Sequence, residues 1–70
     1  MNRINPKKLL HSKWTALDVQ NKEKHFMVTK LIVEEGNITA CFLEAVLTKR
    51  VAQIDWRELK DASQWCFGWQ

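Results

Sequence analysis

Cations and tryptophans are the residues of this chain with the most chemistry to offer. Arg3, Lys7, Lys8, His11 and Lys13 crowd the first thirteen positions and run directly into Trp14, while Trp69 stands near the other end. Lysines and arginines at that density can grip phosphates, and an exposed indole beside them can stack on an unpaired base. Arg3, Lys7, Lys8, His11, Lys13, Trp14 and Trp69 are therefore the candidate binding residues, and Lys22, Lys24, Lys49 and Arg50 are candidates to extend the patch. The competing reading is a solvated basic surface around tryptophans that simply form the core of a small domain. No RNA-binding signature decides between the two.

Bond-making chemistry has weaker support. His25, between Lys24 and Phe26, could act as a general base, but spacing fixes no nucleophile or partner carboxylate near it. Asp55 and Glu58 look like paired carboxylates, yet an Asp followed three residues later by Glu already has a role as a helix-capping box. Cys41, Cys66, His11 and His25 could supply four zinc ligands, but none stands at close ligand spacing to another. Two isolated free thiols are the simpler reading. No catalytic residue, no metal and no cofactor is expected.

Seventy residues make one domain, 1–70, with 46% apolar and 27% charged side chains, the composition of an ordinary globular fold. A chain this short buries only about 60% of its extended surface, so its stability margin is thin. The net charge of +3 is unevenly spread: residues 1–30 carry seven Lys/Arg against two acids, and residues 31–70 four against six. The front half could meet an anionic partner. The longest uncharged apolar stretch, Ile38 to Leu43, is too short to span a bilayer, and the N-terminus lacks an apolar core of the signal-peptide kind. A cytoplasmic setting without membrane contact is expected.

Asn5-Pro6 opens a single helical turn through Leu9-Leu10, since Asn caps well and Pro has its φ already set. Strand-like residues run from Ser12 to Val19, then a polar loop from Gln20 to Lys24. His25–Glu34 and Ile38–Leu47 read as a hairpin turning at Gly36-Asn37. That register puts Val33, Leu31 and Met27 on one face with Ala40, Phe42 and Val46. Ile32, Val28 and Phe26 fall on the other with Cys41, Ala45 and Leu47. Both faces are apolar, so each needs a cover. Val51–Ile54 is a short fourth strand, and Asp55 caps a turn behind it. Asp61 with Gln64 repeats the capping pattern, and Gly68 is a stop. Three of the four tryptophans, Trp56, Trp65 and Trp69, lie within these last residues. They read as a lid over the sheet, with the Trp56 ring folding onto Val28, Phe42 or Val46. The N-terminal turn with Leu9 and Leu10, the curled sheet itself, or a second subunit could cover the other face.

The run Asn5 to Ala16, the segment Lys24-His25-Phe26, the run Leu43 to Arg50, the run Ile54 to Asp61, and Trp65 with Gly68-Trp69 together resemble a family of small tryptophan-rich bacterial proteins of unknown function. The likeness covers nearly the whole chain. It implies a cytoplasmic, non-secreted setting and carries over no functional residue. Where the family has polar residues between its last tryptophans, this chain has Cys66-Phe67.

The expected fold is mainly β, a small α+β domain: an antiparallel four-stranded meander, open or curled into a small barrel, closed by short N- and C-terminal helical turns. The expected function is a non-catalytic protein-interaction or structural module, with homodimerisation as one option. The alternative is a single-stranded nucleic-acid-binding domain that uses the basic N-terminal half and exposed tryptophan. A protein partner, a second copy and a nucleic acid are the partners left open.

Overall fold

A computed structural model describes residues 1–70. Five strands, β1 (Lys13–Gln20), β2 (Glu23–Glu34), β3 (Asn37–Ala45), β4 (Val51–Ile54) and β5 (Trp65–Phe67), form one antiparallel sheet in the order β4-β3-β2-β1-β5. The sheet does not close into a barrel. Two 3-10 turns, Pro6–Lys8 and Trp56–Lys60, are the only helical elements. Mainly antiparallel β architecture with short turns at both ends is thus as read from the sequence, but with one strand more.

The first two connections are two-residue hairpins, and both need positive φ at their central residues. Asn21 (φ 54°) and Lys22 (φ 62°) make the first, Glu35 (φ 51°) and Gly36 (φ 80°) the second. The second turn therefore sits one residue earlier than Gly36-Asn37, which changes every pairing in the hairpin. Two bulges then adjust the register: Thr29 is the extra residue on β2 between Val28 and Lys30, and Thr39 the extra one on β3 opposite Ile32-Val33. The bulge at Thr29 keeps Phe26, Val28 and Leu31 on one face opposite Ala45, Leu43 and Cys41, while Met27, Lys30 and Ile32 point the other way opposite Glu44, Phe42 and Ala40. The face assignment expected from the sequence is corrected on this ground.

One face carries the whole core. Leu9, Trp14, Ala16, Phe26, Val28, Cys41, Leu43, Ala45 and Leu59 form a single buried cluster. Leu9 leaves the first turn and Leu59 sits in the second, so both turns cover the same face rather than opposite ones. Leu10 stays exposed. Asn5 caps the first turn through Oδ1, which accepts from the Lys7 N–H, and Asp55 caps the second in a complete capping box with Glu58. Asn2 stitches the N-terminus to the lid: its N–H donates to the Lys60 carbonyl, and Nδ2 donates to the carbonyls of Leu59 and Trp65.

The tail differs most from expectation. Asp61 does cap, accepting from the Ser63 N–H at 2.9 Å and Oγ at 2.6 Å, but the chain then makes a turn and a strand, neither a second short helical turn nor one interrupted helix. β5 pairs with β1 so that Trp65 opposes Ala16 and Phe67 opposes Trp14. Two edge-to-face ring pairs close this side of the core, Trp14–Phe67 at 5.1 Å and Phe26–Trp65 at 5.3 Å.

Trp14 is fully buried, with 0% exposure, and its indole N–H donates to Ser12 Oγ at 2.8 Å. Trp56 is only half-buried. Its ring packs against the margin of the core cluster, which includes Val28, and Nε1 donates to the Ile38 carbonyl at 2.9 Å. The deeply buried residue of the lid is Leu59. Trp14→Ala should accordingly cost about 3–5 kcal/mol. Trp56→Ala should cost on the order of 1–2 kcal/mol, and Asp55→Ala about 1 kcal/mol through the lost cap. Denaturant melts of the three variants give the order directly, and a Trp56 loss as large as that of Trp14 would contradict it.

Candidate interaction surface

The second face of the sheet has no comparable cover. Register places Lys13, Thr15, His25, Met27, Lys30, Ile32, Phe42, Glu44, Val51 and Gln53 on it. Met27, Ile32 and Phe42 are half-buried and lie outside the core cluster, Val51 is exposed, and Lys30 Nζ stands 5.9 Å from the Phe42 ring centre. Only the last residues of the chain cross this face. Gly68, at φ 82°, turns the backbone over β1. Its carbonyl accepts from Thr15 Oγ1 at 2.7 Å, and the same hydroxyl accepts from the Gln70 N–H at 2.9 Å, which leaves Thr15 only 2% exposed.

Trp69 is thereby laid beside β1 and β2. Its Nε1 donates to the Phe26 carbonyl, Lys13 Nζ lies 4.6 Å from the ring centre, and the His25 ring lies at 5.9 Å with a 36° tilt. The residue remains 42% exposed. Of the candidate binding residues, Lys13 and Trp69 are therefore brought together as one cation–aromatic group. Trp14 is corrected: as the centre of the core it offers no ring face to a base. Arg3, Lys7 and Lys8 sit on the N-terminal arm and first turn, which cover the core face. His11 is exposed at the strand entry, with φ 67° and its N–H donating to the Val28 carbonyl. The basic set is consequently divided between the two sides of the sheet.

The residues considered for catalysis are otherwise engaged. His25 Nε2 lies 2.9 Å from the Gln70 carbonyl oxygen, and its ring lies beside that of Trp69. Asp55 and Glu58 are spent on the cap. Cys41 is buried beneath the lid, and that burial, with Asp55 and Glu58 nearby, pushes its thiol up to about 11. No cluster of three or more His, Cys, Asp or Glu is placed to hold a metal ion.

One polar constellation was not visible in the sequence. Glu23, read there as loop, opens β2 and is 4% exposed. Both its oxygens meet Arg50, with Nη2 to Oε1 at 2.7 Å and Nε to Oε2 at 3.0 Å, and the Thr48 hydroxyl donates to Oε2. This pair locks the β1–β2 hairpin to the β3–β4 connection. It borders a cavity of about 220 Å³ that opens where β1 leaves the ladder between Thr15 and Gln20. Arg50 is consequently not a free cation for a ligand. Nothing in the local sequence marks Glu23 for burial, because its partner is 27 residues away; the turn-forming Asn21 was the one available clue to where β2 begins.

Hydrogen bonds from Arg50 first, and from Thr48 next, hold the Glu23 carboxyl below its ordinary range despite burial. A carboxyl more acidic in the folded than in the unfolded chain stabilises above the unfolded value, about 4.3, and that stabilisation is lost as pH falls through the folded value. Melting temperature should thus be flat above roughly pH 5 and fall steeply below about pH 4. Glu23→Gln should flatten that acid limb while lowering stability at neutral pH. An acid limb unchanged in the variant would assign it to other carboxylates.

Comparison with curated proteins and with solved structures finds no match for this chain. A family model does match, over residues 12–70. That span holds all five strands, the lid turn and all four tryptophans. The chain belongs to the tryptophan-rich protein family DUF2389.

Proposed function

We propose that this domain is a non-catalytic interaction module that pairs with a second copy of itself through the open face of its sheet. The observation carrying this reading is the asymmetry of cover: two turns and a complete core on one side, and on the other half-buried Met27, Ile32 and Phe42 flanked only by the tail. A lone sheet with apolar residues on both faces usually finds a second layer.

Charge and size favour a second copy as that layer. Lys30 and Glu44 stand on the open face next to the apolar group, opposite Phe42 and Met27 respectively. A two-fold axis placed between these residues would bring the lysine of each copy toward the glutamate of the other, because isologous contacts are reciprocal. The molecule measures 36 × 25 × 15 Å, so the two long dimensions bound a flat face at about 900 Å² per copy. A standard interface takes roughly 800 Å² from each partner. Two sheets stacked about 10 Å apart would turn two thin layers into an ordinary sandwich. A cytoplasmic setting, where Cys41 and Cys66 stay reduced, suits the reading.

Single-stranded nucleic-acid binding is the second reading, favoured by Lys13 over the exposed Trp69 ring on the same face. It requires binding to oligonucleotides that weakens steeply with salt, with a slope reduced by about 1 in Lys13→Ala. The first reading is tested by light scattering across a micromolar to millimolar concentration series. The wild type should approach dimer mass, and Phe42→Glu should stay monomeric with an unchanged circular dichroism spectrum. A wild type that remains monomeric throughout would contradict dimerisation.

A further inference from the structure

The inward side of β1 changes character along its length. Trp14 and Ala16 belong to the core cluster, and the same side continues as Asp18 and Gln20, because side chains two apart on a strand share a face. Leu17 and Val19, 52% and 48% exposed, take the opposite side. The stripe thus turns polar where the core ends, and the cavity of about 220 Å³ beside the Glu23–Arg50 pair opens there.

Most polar groups of this cavity are unspent. Asp18 Oδ2 accepts from Gln20 Nε2 at 3.2 Å, while Oδ1 has no partner in the fold. Asn21 and Gln64, both exposed, line the cavity with side-chain amides that make no hydrogen bond within the chain. Trp65 lines it as a half-buried ring whose indole N–H is also without a partner. No buried side-chain nitrogen or oxygen goes unpaired, so that N–H is open to solvent. Glu23 and Arg50 take part as a bidentate pair that cancels its own charge. The wall is formed before any ligand arrives: the Leu17 N–H donates to the Gln64 carbonyl at 2.9 Å, and the edge-to-face contact with Phe26 holds the indole.

We infer that this cavity binds the single pyranose ring of a neutral sugar, its hydroxyls on Asp18, Asn21 and Gln64 and a C–H side of the ring against Trp65. A hydroxyl donates and accepts at once, which suits a wall combining an acceptor-only carboxylate, a donor-only indole and two amides that do both. An anion would meet Asp18 and Glu23, and a cation would meet Arg50 and the indole N–H. The indole adds an apolar surface beside its donor, as the C–H side of a sugar requires. A cavity of roughly 150 Å³ holds a benzene ring, so this somewhat larger one takes a six-membered ring with substituents and not a chain of such rings. The site shares no residue with the open face, so it stands or falls apart from dimerisation.

NMR titration of the full chain with methyl glucopyranoside and methyl galactopyranoside tests it. At least one of the two should bind with a Kd on the order of 1 mM. Shifts should concentrate at the Trp65 indole N–H and the side-chain amides of Asn21 and Gln64. Asp18→Ala should weaken binding about tenfold, since an acceptor of charge-assisted hydrogen bonds is lost, and Gln64→Ala by a smaller factor. Both replaced residues are exposed, so the fold should survive, which the circular dichroism spectrum checks. Phe42→Glu should bind the sugar as the wild type does, whatever it does to self-association. No saturable shift well above that concentration, an undiminished affinity in Asp18→Ala, shifts confined to Met27, Phe42 and Trp69, or tighter binding of cyclohexanol, glucuronate or glucosamine than of either glycoside would overturn the assignment.

Discussion

Burying the Trp14 ring on one side of a sheet is the constraint that the remaining structure answers. An indole of that size cannot be covered by a seventy-residue chain without recruiting segments from both ends, and its N–H must find an acceptor. Ser12, two residues before it, supplies the acceptor. Phe26 pairs with it from β2, Phe67 meets its edge from β5, and Leu9 and Leu59 belong to the same buried cluster. The short turns and the three-residue edge strand would have little stability alone. They persist because Leu9 and Leu59 belong to this cluster, because Trp65 of β5 packs against it, and because Asn2 ties the arm to the lid and to β5.

Committing both turns and β5 to one face has a consequence for the other. The bulges at Thr29 and Thr39 keep the large aliphatic residues of the hairpin turned toward Trp14, while Met27, Ile32 and Phe42 are left facing outward. The chain's remaining cover is the Gly68-Trp69-Gln70 segment, which reaches only the β1–β2 side. Glu23 and Arg50 are arranged on the same logic at the hairpin end, where β1 leaves the ladder and a bidentate ion pair replaces the missing strand contacts. A buried carboxylate is tolerated there because every oxygen has a donor.

Local chemistry was legible in the sequence and distant pairing was not. Asn5-Pro6, the Asp55–Glu58 capping box and the strand Val51–Ile54 each depend on residues two to four positions apart, and each stands where the residue types put it. The hairpin turn slipped by one residue because Glu35, rather than Asn37, adopts the left-handed conformation beside Gly36, a role side chains of its type rarely take. Bulges leave no mark in residue type, so the two faces could not be sorted from alternation alone. β5 was hidden because Asp61 does cap the turn before it, and a three-residue strand is specified by its partner rather than by itself. Of the candidate binding residues, Lys13 and Trp69 meet in space. Trp14 is lost to the core because part of what covers it, Phe67, lies more than fifty residues further along the chain.

A sheet whose single core is centred on Trp14 must release that residue only when the whole domain opens. Native-state hydrogen exchange of the four indole N–H groups measures this in one experiment. The Trp14 indole proton should exchange with the slowest amides of β2 and β3, at the free energy of global unfolding and with the same denaturant dependence. Trp65, whose indole N–H has no partner in the fold, should exchange fastest. A Trp14 proton that exchanges at the rate of Trp65, or through a small local opening independent of denaturant, would contradict a fold centred on its burial.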